Sequence, residues 1–195
     1  MKELTFPVSE EQARQLRIGE EVRLNGRIVT ARDAGHKYMT TKAPKWLKDL
    51  LKDGCIYHCG PVCKKTGNSW KVLAAGPTTS IREEPYQASV IDRFKVRAVV
   101  GKGGMGPKTL AGLAATGAVY LHAVGGAASL LADRIVAVED VFMYDEFGAP
   151  EAFWVFRVEG FPAIVTMDSH GDSIHSQVAA VSKETAAKLL RLSTI

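Results

Sequence analysis

Hydrophobic and polar positions alternate in short runs through the first third of the chain, and this period of two is typical of strands. Strands are predicted over residues 4–8, 21–30, 56–63 and 69–75. Asn25-Gly26, inside the second run, predicts a two-residue hairpin turn. Helices are predicted over residues 9–16, which open with a capping-box pattern, and over residues 44–52. The first half is therefore expected to be rich in antiparallel strand pairs.

The second half alternates helical and strand-like segments. Helices are predicted over residues 85–94, 107–115, 127–133 and 183–192. Strands are predicted over residues 96–100, 118–123, 135–141, 152–159 and 163–167. Strand–helix–strand alternation is the signature of βαβ units with parallel strands. The chain is therefore predicted to form one α/β domain over residues 1–195, with a mixed sheet and βαβ units in its second half.

Composition is that of an ordinary globular domain. Of the 195 residues, 46% are hydrophobic and 24% are charged, which excludes intrinsic disorder. The 25 basic and 21 acidic side chains give a formal charge of +4. Basic and acidic residues are interleaved rather than collected in a stripe, so the charge gives no indication of nucleic-acid binding.

Three features bear on the compartment. The first residues mix polar and apolar side chains and resemble no secretion signal. Residues 109–132 carry no formal charge, but their glycines and His122 favour a buried helix–strand–helix over a membrane span. The three cysteines are an odd number, which favours a reducing compartment. The chain is expected to be cytoplasmic, with no membrane partner.

The cysteines at positions 55, 59 and 63 recur every fourth residue, a spacing that suggests a zinc or iron–sulfur site. Gly60-Pro61 makes a helix improbable there. In an extended strand the outer two cysteines would lie about 26 Å apart, too far for one cluster. No metal site is therefore expected on this chain.

A glycine-rich loop, Gly-Lys-Gly-Gly-Met-Gly over residues 101–106, lies between a predicted strand and helix. Its spacing matches the dinucleotide fingerprint at Gly101, Gly103 and Gly106, but the acidic residue expected about 20 positions later is missing. Backbone N–H groups and a helix N-terminus favour a small anion instead, and Lys102 adds a positive charge. A tight turn with a solvated lysine is the alternative.

A second loop, Gly-Pro-Thr-Thr-Ser-Ile-Arg over residues 76–82, places three hydroxyls and a guanidinium after a strand. Such groups suit a carboxylate-binding pocket. The alternative is that the hydroxyls cap the next helix while Arg82 pairs with Glu83 or Glu84.

Another loop begins at Thr30, where a predicted strand ends. In chain order it is the first of the three loops, residues 76–82 are the second and residues 101–106 are the third. Arg32 and Asp33 are adjacent, so in an extended chain they point to opposite sides and need a turn to face one ligand. Asp33 would then hold the loop while Arg32 reaches into a site. His36 is a candidate proton carrier, although a single histidine beside glycine is more often structural or solvated.

These three loops, in this order and spacing, resemble the β subunits of class I fumarate hydratases and of the related tartrate dehydratases. The similarity continues through residues 147–152, 154–155 and 168–171 and covers about residues 8–171. The resemblance implies a swivelling β/β/α domain that forms half of an iron–sulfur hydro-lyase. It also implies that three cysteines of a separate α subunit or domain, not this chain, hold the [4Fe-4S] cluster.

Site roles follow from the resemblance residue by residue. It implies that Arg32, Arg82 and Lys102 bind the substrate's carboxylates and that Thr78 is a catalytic proton-transfer group. A free threonine hydroxyl has too high a pKa to be a good base, so this role requires a nearby cation or relay. The supporting residues are Asp33, His36, Gly101 and Gly103.

The implied protein is the β subunit of a hydro-lyase that hydrates fumarate to (S)-malate, inactive without its α subunit. Its expected partners are that subunit and a dicarboxylic acid, with hetero-oligomers in the complex and homodimers as an option for the isolated chain. Two alternatives remain open at this point. One is an L-tartrate dehydratase β subunit, and the other is a non-catalytic module that binds dicarboxylates or nucleotides.

Overall fold

The structure, a computed structural model, describes residues 1–67 and 69–192. Its strands are β1 (Lys2–Phe6), β2 (Glu21–Thr30), β3 (Cys55–Tyr57), β4 (Val62–Thr66), β5 (Ser69–Ala74), β6 (Ala98–Gly101), β7 (Val119–His122), β8 (Ile135–Phe142) and β9 (Phe153–Met167). Its helices are α1 (Glu10–Arg14), α2 (Asp33–Thr41), α3 (Lys45–Leu51), α4 (Glu84–Phe94), α5 (Pro107–Thr116), α6 (Ala128–Ala132), α7 (Tyr144–Phe147) and α8 (Ile174–Leu192). A 3-10 turn over Ser80–Glu83 leads into α4.

One mixed sheet carries the strand order β1-β2-β3-β6-β7-β9-β8, and β4 and β5 form a separate hairpin. Neighbouring strands from β1 to β7 within this sheet are parallel. β9 is antiparallel to β2, β7 and β8. Because β9 pairs with both β2 and β7, the sheet closes on itself through β2, β3, β6, β7 and β9. The predicted mixed α/β class is confirmed.

Two hydrophobic cores lie on the two faces of this sheet. Consecutive strand residues point to opposite faces, so Tyr57 and Val100 belong to one core while Ile56 and Val99 belong to the other. The second core also contains the buried face of α4, including Phe94. Strands covered on both faces are expected to be continuously apolar, which explains the short hydrophobic runs of β3 and β6.

The hairpin predicted at Asn25-Gly26 is wrong, because β2 passes through it without turning. Gly26 has φ +91°, and a Cβ there would lie 2.5 Å from the carbonyl oxygen of Phe6 on β1. The glycine therefore marks a close approach of two strands beside a bulge in the β2–β9 pairing. Asn25 accepts a hydrogen bond from Gly160 N–H at 2.8 Å across that bulge. The first half is thus largely parallel, not antiparallel.

Several other elements also differ from the prediction. β9 is one strand where two were expected, because the bulge accommodates Gly160. The predicted strand over residues 56–63 divides into β3 and β4, and α8 begins at residue 174 instead of 183. α2 was not predicted, since its sequence contains Gly35 and two threonines. β8 pairs with antiparallel β9, so it completes no parallel unit with β7. Asn68, between β4 and β5, lies outside the described residues.

The uncharged stretch of residues 109–132 is divided among α5, β7 and α6, as predicted. Within residues 1–67 and 69–192, no helix has both the length and the hydrophobicity that crossing a bilayer requires.

Candidate functional site

The candidate site lies where neighbouring parallel strands end. Arg32 follows β2 by two residues, His58 directly follows β3, and Lys102 directly follows β6. The carboxyl ends of adjacent parallel strands meet at one edge of a sheet, which is where α/β proteins commonly bind ligands. The topology therefore brings the first and third loops of the sequence to a common edge.

The second loop is bound between the ends of β3 and β6. Thr78 N–H donates to the His58 carbonyl at 2.7 Å, and Ser80 N–H donates to the Lys102 carbonyl at 3.1 Å. Thr79 and Lys102 also form a parallel bridge. Thr78 is half-buried at this edge. Backbone hydrogen bonds therefore join the second loop directly to the third, and Arg82 follows within the next turn.

Arg32 and Arg82, here called the arginine clamp, share one carboxylate. Arg82 Nε lies 3.2 Å from Asp33 Oδ1, and Arg82 Nη2 contacts Asp33 Oδ2. Arg32 Nη2 lies 4.0 Å from the same Oδ2. α2 begins at Asp33, and this turn of the chain lets the adjacent side chains of Arg32 and Asp33 face each other. The alternative prediction, that Arg82 pairs with Glu83 or Glu84, is wrong, because Arg82 forms its ion pair with Asp33.

A second carboxylate faces the clamp from the segment before β9. Glu151 Oε1 lies 3.3 Å from Arg32 Nε, while Glu151 Oε2 accepts the Ala34 N–H at 3.0 Å. A Cβ at Gly60 would lie 2.6 Å from Arg32 Nη1, so only glycine leaves room for this guanidinium. The two guanidiniums are thus paired with carboxylates of the chain itself.

The glycines of the third loop have distinct roles. A Cβ at Gly101 would lie 1.8 Å from Ser80 Oγ, so this position leaves no room for a side chain. Gly103 is exposed with φ +79°, which favours glycine for conformational reasons. Lys102 lies along Gly125, where a Cβ would be 3.3 Å from Lys102 Cδ. The absence of a side chain at Gly101 therefore leaves space for the second loop.

The N-terminus of α5 is occupied by the chain's own acid. Glu84 accepts hydrogen bonds from the backbone N–H groups of Gly106 at 2.8 Å, Lys108 at 2.9 Å and Thr109 at 3.2 Å. The Thr109 hydroxyl donates to it as well, at 2.6 Å. A carboxylate here is stabilised by the helix dipole and satisfies unpaired amides. The expectation that this helix end holds a ligand anion is therefore wrong.

A buried polar network lies behind the three loops. His36 Nε2 and His58 Nε2 lie 2.9 and 2.8 Å from Gln87 Oε1. His58 Nδ1 lies 2.8 Å from Ser80 Oγ, which accepts from the Tyr120 hydroxyl at 2.9 Å. Burial lowers the pKa of His36 to about 4 and that of His58 well below its usual range, so both rings are neutral at pH 7. The network connects the first two loops to β7.

Glu83 is buried next to this network. Its Oε2 lies 3.5 Å from His36 Nδ1, and within the described residues neither of its oxygens accepts a hydrogen bond. Burial raises the pKa of Glu83 to about 7, although Arg82 opposes the shift. The acid is therefore poised between its protonated and ionised forms near neutral pH.

The three cysteines do not suit a cluster held by this chain. Cys55 and Cys59 are fully buried, and burial raises the pKa of each thiol. Burial also raises the pKa of Cys63 to about 12. Metals bind the thiolate, which these surroundings disfavour. Across residues 1–67 and 69–192, no three metal-ligating side chains come together as a site.

Sequence reasoning missed three members of the site, of which His58 and Glu83 are buried and Glu151 is half-buried. His58 was assigned to a strand interior, and Glu151 lay in a segment that carried the resemblance but was given no role. Glu83 was considered only as a partner for Arg82. A polar residue directly after a short apolar strand, as His58 is after β3, was the available signal.

Residues 2–178 match the family described as Fumarase C-terminus, and the chain belongs to this family. A Geobacillus stearothermophilus protein provisionally named fumarate hydratase class I is 55% identical over 183 residues, which are 93% of this chain and 35% of that protein. The chain therefore spans about a third of that relative's length. A Methanocaldococcus jannaschii protein provisionally named L(+)-tartrate dehydratase subunit beta is 40% identical, over 97% of this chain and 100% of its own length. The Escherichia coli K12 L(+)-tartrate dehydratase subunit beta is 38% identical, over 89% of this chain and 86% of its own length.

Proposed function

We propose that the chain is the β subunit of a hydro-lyase that hydrates fumarate to (S)-malate at a site shared with a separate α subunit. We also propose that the chain forms a swivelling β/β/α domain. The observation that carries it is the arginine clamp, whose two guanidiniums share the Asp33 carboxylate. A dicarboxylic acid offers two such groups, and Lys102 supplies a third cation on the adjoining loop. Arginine suits this task because it binds carboxylates through two parallel hydrogen bonds.

The relatives support a site divided between two parts. The similarity to the Geobacillus protein is confined to 35% of its length, which leaves most of that protein for another part. The two tartrate dehydratase relatives are named beta subunits and are matched over 86% or more of their lengths. We therefore expect this chain to require an α partner.

When the substrate binds, its two carboxylates take the places of the Asp33 and Glu151 carboxylates beside the arginine clamp. Hydration and dehydration pass through a species with extra negative charge on a carboxylate, and fixed cations in a dry cleft stabilise that charge. Holding the substrate at two carboxylates also fixes the position of its central carbons. Thr78, half-buried at the same edge, is the proposed proton-transfer group at the carbon next to a carboxylate.

The [4Fe-4S] cluster of this proposal belongs to the α partner, where it would act as a Lewis acid toward the hydroxyl group. The cysteines of this chain are not proposed as its ligands.

The test is anaerobic co-expression of the chain with an α-type hydro-lyase subunit. The purified complex is expected to convert fumarate to malate, measured as loss of fumarate absorbance, whereas the isolated chain is expected to be inactive. The matched control is the α subunit purified without this chain, which is expected to lack the activity. A cluster-loaded complex that acts on neither fumarate nor tartrate would contradict the proposal.

L-Tartrate is the second candidate substrate, favoured by the 40% identity to a tartrate dehydratase subunit over its full length. A higher kcat/KM for tartrate than for fumarate in the same complex would support it. Micromolar binding of a nucleotide or dicarboxylate to the isolated chain, measured by calorimetry, would instead support the non-catalytic module.

A further inference from the structure

Glu83 is an acid in a place where its charge is poorly supported. It ends the 3-10 turn directly after Arg82, and its side chain is 0% exposed. Both carboxyl oxygens are buried without a hydrogen bond from any described residue. Burying an ionised carboxylate without hydrogen bonds is costly, so these surroundings favour the protonated acid.

The charged groups around Glu83 come from three parts of the fold. Arg82 on the same turn and Arg32 before α2 favour its ionised form, whereas Glu151 before β9 opposes it. The burial of the carboxyl outweighs the arginines and sets its pKa at about 7. His36 of α2 lies 3.5 Å away but is neutral at pH 7, because burial lowers its pKa to about 4. The arginine clamp is therefore the positive charge to which Glu83 responds.

Other buried polar atoms near Glu83 also lack a hydrogen-bond partner among residues 1–67 and 69–192. Arg32 Nε is one of them, although Glu151 Oε1 lies 3.3 Å away. Gln87 Nε2, on the first turn of α4, is in the same state. Buried polar groups without partners are rare in folded proteins. Glu83, Arg32 and Gln87 therefore each bring at least one such atom to this region.

We propose that Glu83 sets the charge of the arginine clamp, so that binding of a dicarboxylate is coupled to protonation of this carboxyl. The inference rests on the proposed function and adds a positioning residue to it. Protonated Glu83 leaves both guanidiniums available to the substrate's carboxylates. Ionised Glu83 competes with the substrate for the same positive charge. Glu83 acts through Arg32 and Arg82, and it does not touch the reacting carbons.

The kinetic test uses the complex with the α partner between pH 6 and 9. Wild-type KM is expected to rise by up to about tenfold per pH unit above pH 7 while kcat changes little, because one proton is taken up with the substrate. Glu83→Gln keeps a neutral side chain of the same shape, so its KM is expected to stay flat over this range. Glu84→Gln is the matched control: it makes the same change one residue away, in a side chain that caps the N-terminus of α5, and should retain the wild-type slope.

A second readout is independent of activity. Carbon-13 NMR of the isolated chain, labelled at glutamate side chains, should show one carboxyl that titrates near pH 7 and is missing in Glu83→Gln. Ordinary glutamates titrate near pH 4.3. Titration of Glu83 in that ordinary range, or a wild-type KM slope in a folded Glu83→Gln complex, would overturn the inference. A wild-type complex inactive on both substrates would overturn the proposed function instead, and the NMR titration would still test Glu83.

Discussion

Arg82→Ala is expected to lower kcat/KM for fumarate by about 10²–10³-fold, or about 3–4 kcal/mol, in the complex with the α partner. Two effects combine. The substrate loses a two-pronged ion pair, and Asp33, freed from Arg82, is left to compete for Arg32, whose Nη2 lies 4.0 Å away. Steady-state kinetics at saturating α subunit measure the effect.

Two further variants support the interpretation of Arg82→Ala: one separates geometry from charge, and the other controls for the loss of an arginine. Arg82→Lys keeps the positive charge but loses the planar two-hydrogen-bond geometry, so its activity should fall between those of the wild type and Arg82→Ala. Arg23→Ala removes an exposed arginine of β2 and should leave kcat/KM unchanged. Equal activity of Arg82→Ala and the wild type would contradict the assigned role of Arg82.

Gly101→Ala is expected to destabilise the fold by about 3 kcal/mol or to prevent folding, because overpacking and broken buried hydrogen bonds act together. The added Cβ would lie 1.8 Å from Ser80 Oγ, 3.0 Å from the Tyr120 hydroxyl and 3.2 Å from His58 Nδ1. Relief of these contacts requires displacement of the loop that carries Arg82. Urea unfolding of the isolated chain measures the loss.

Gly103→Ala, two residues later, is the control for this substitution. Its Cβ would meet no atom closer than Thr79 Cγ2 at 3.9 Å, so only the positive φ of +79° penalises it. The expected cost is about 1 kcal/mol. If the two alanine variants were equally stable, the close packing of the second loop against Gly101 would be refuted.

Local signals in the sequence predicted most elements of the fold. The capping box of Ser9 and Gln12 opens α1, and Pro107 stands in the first turn of α5, both as predicted. Pairing was predicted poorly because it depends on residues far apart in the chain. Asn25-Gly26 has the sequence of a hairpin turn, and only the approach of Phe6 and the bulge opposite Gly160 show why glycine is needed there.

Sequence reasoning named the cations Arg32, Arg82 and Lys102 and the acid Asp33, but it gave no site role to Glu151 or Glu83. Arg32 and Lys102 stand on loops that follow β2 and β6, so their place at one edge follows from the parallel strands. The loop of Arg82 follows β5 of the separate hairpin and is held at that edge by backbone hydrogen bonds to His58 and Lys102. Nothing local distinguishes Glu151, which faces Arg32, from Glu84, which caps a helix. The burial of Glu83 depends on packing among α2, α4 and the 3-10 turn, which no local pattern records.

The most direct test of carboxylate binding by the arginine clamp is an anaerobic crystal structure of the complex with a bound dicarboxylate. If the account is correct, one ligand carboxylate lies within about 3 Å of the Arg82 guanidinium, with Arg32 beside it and Asp33 displaced. A ligand bound elsewhere, with the pair between Arg82 and Asp33 intact, would contradict it.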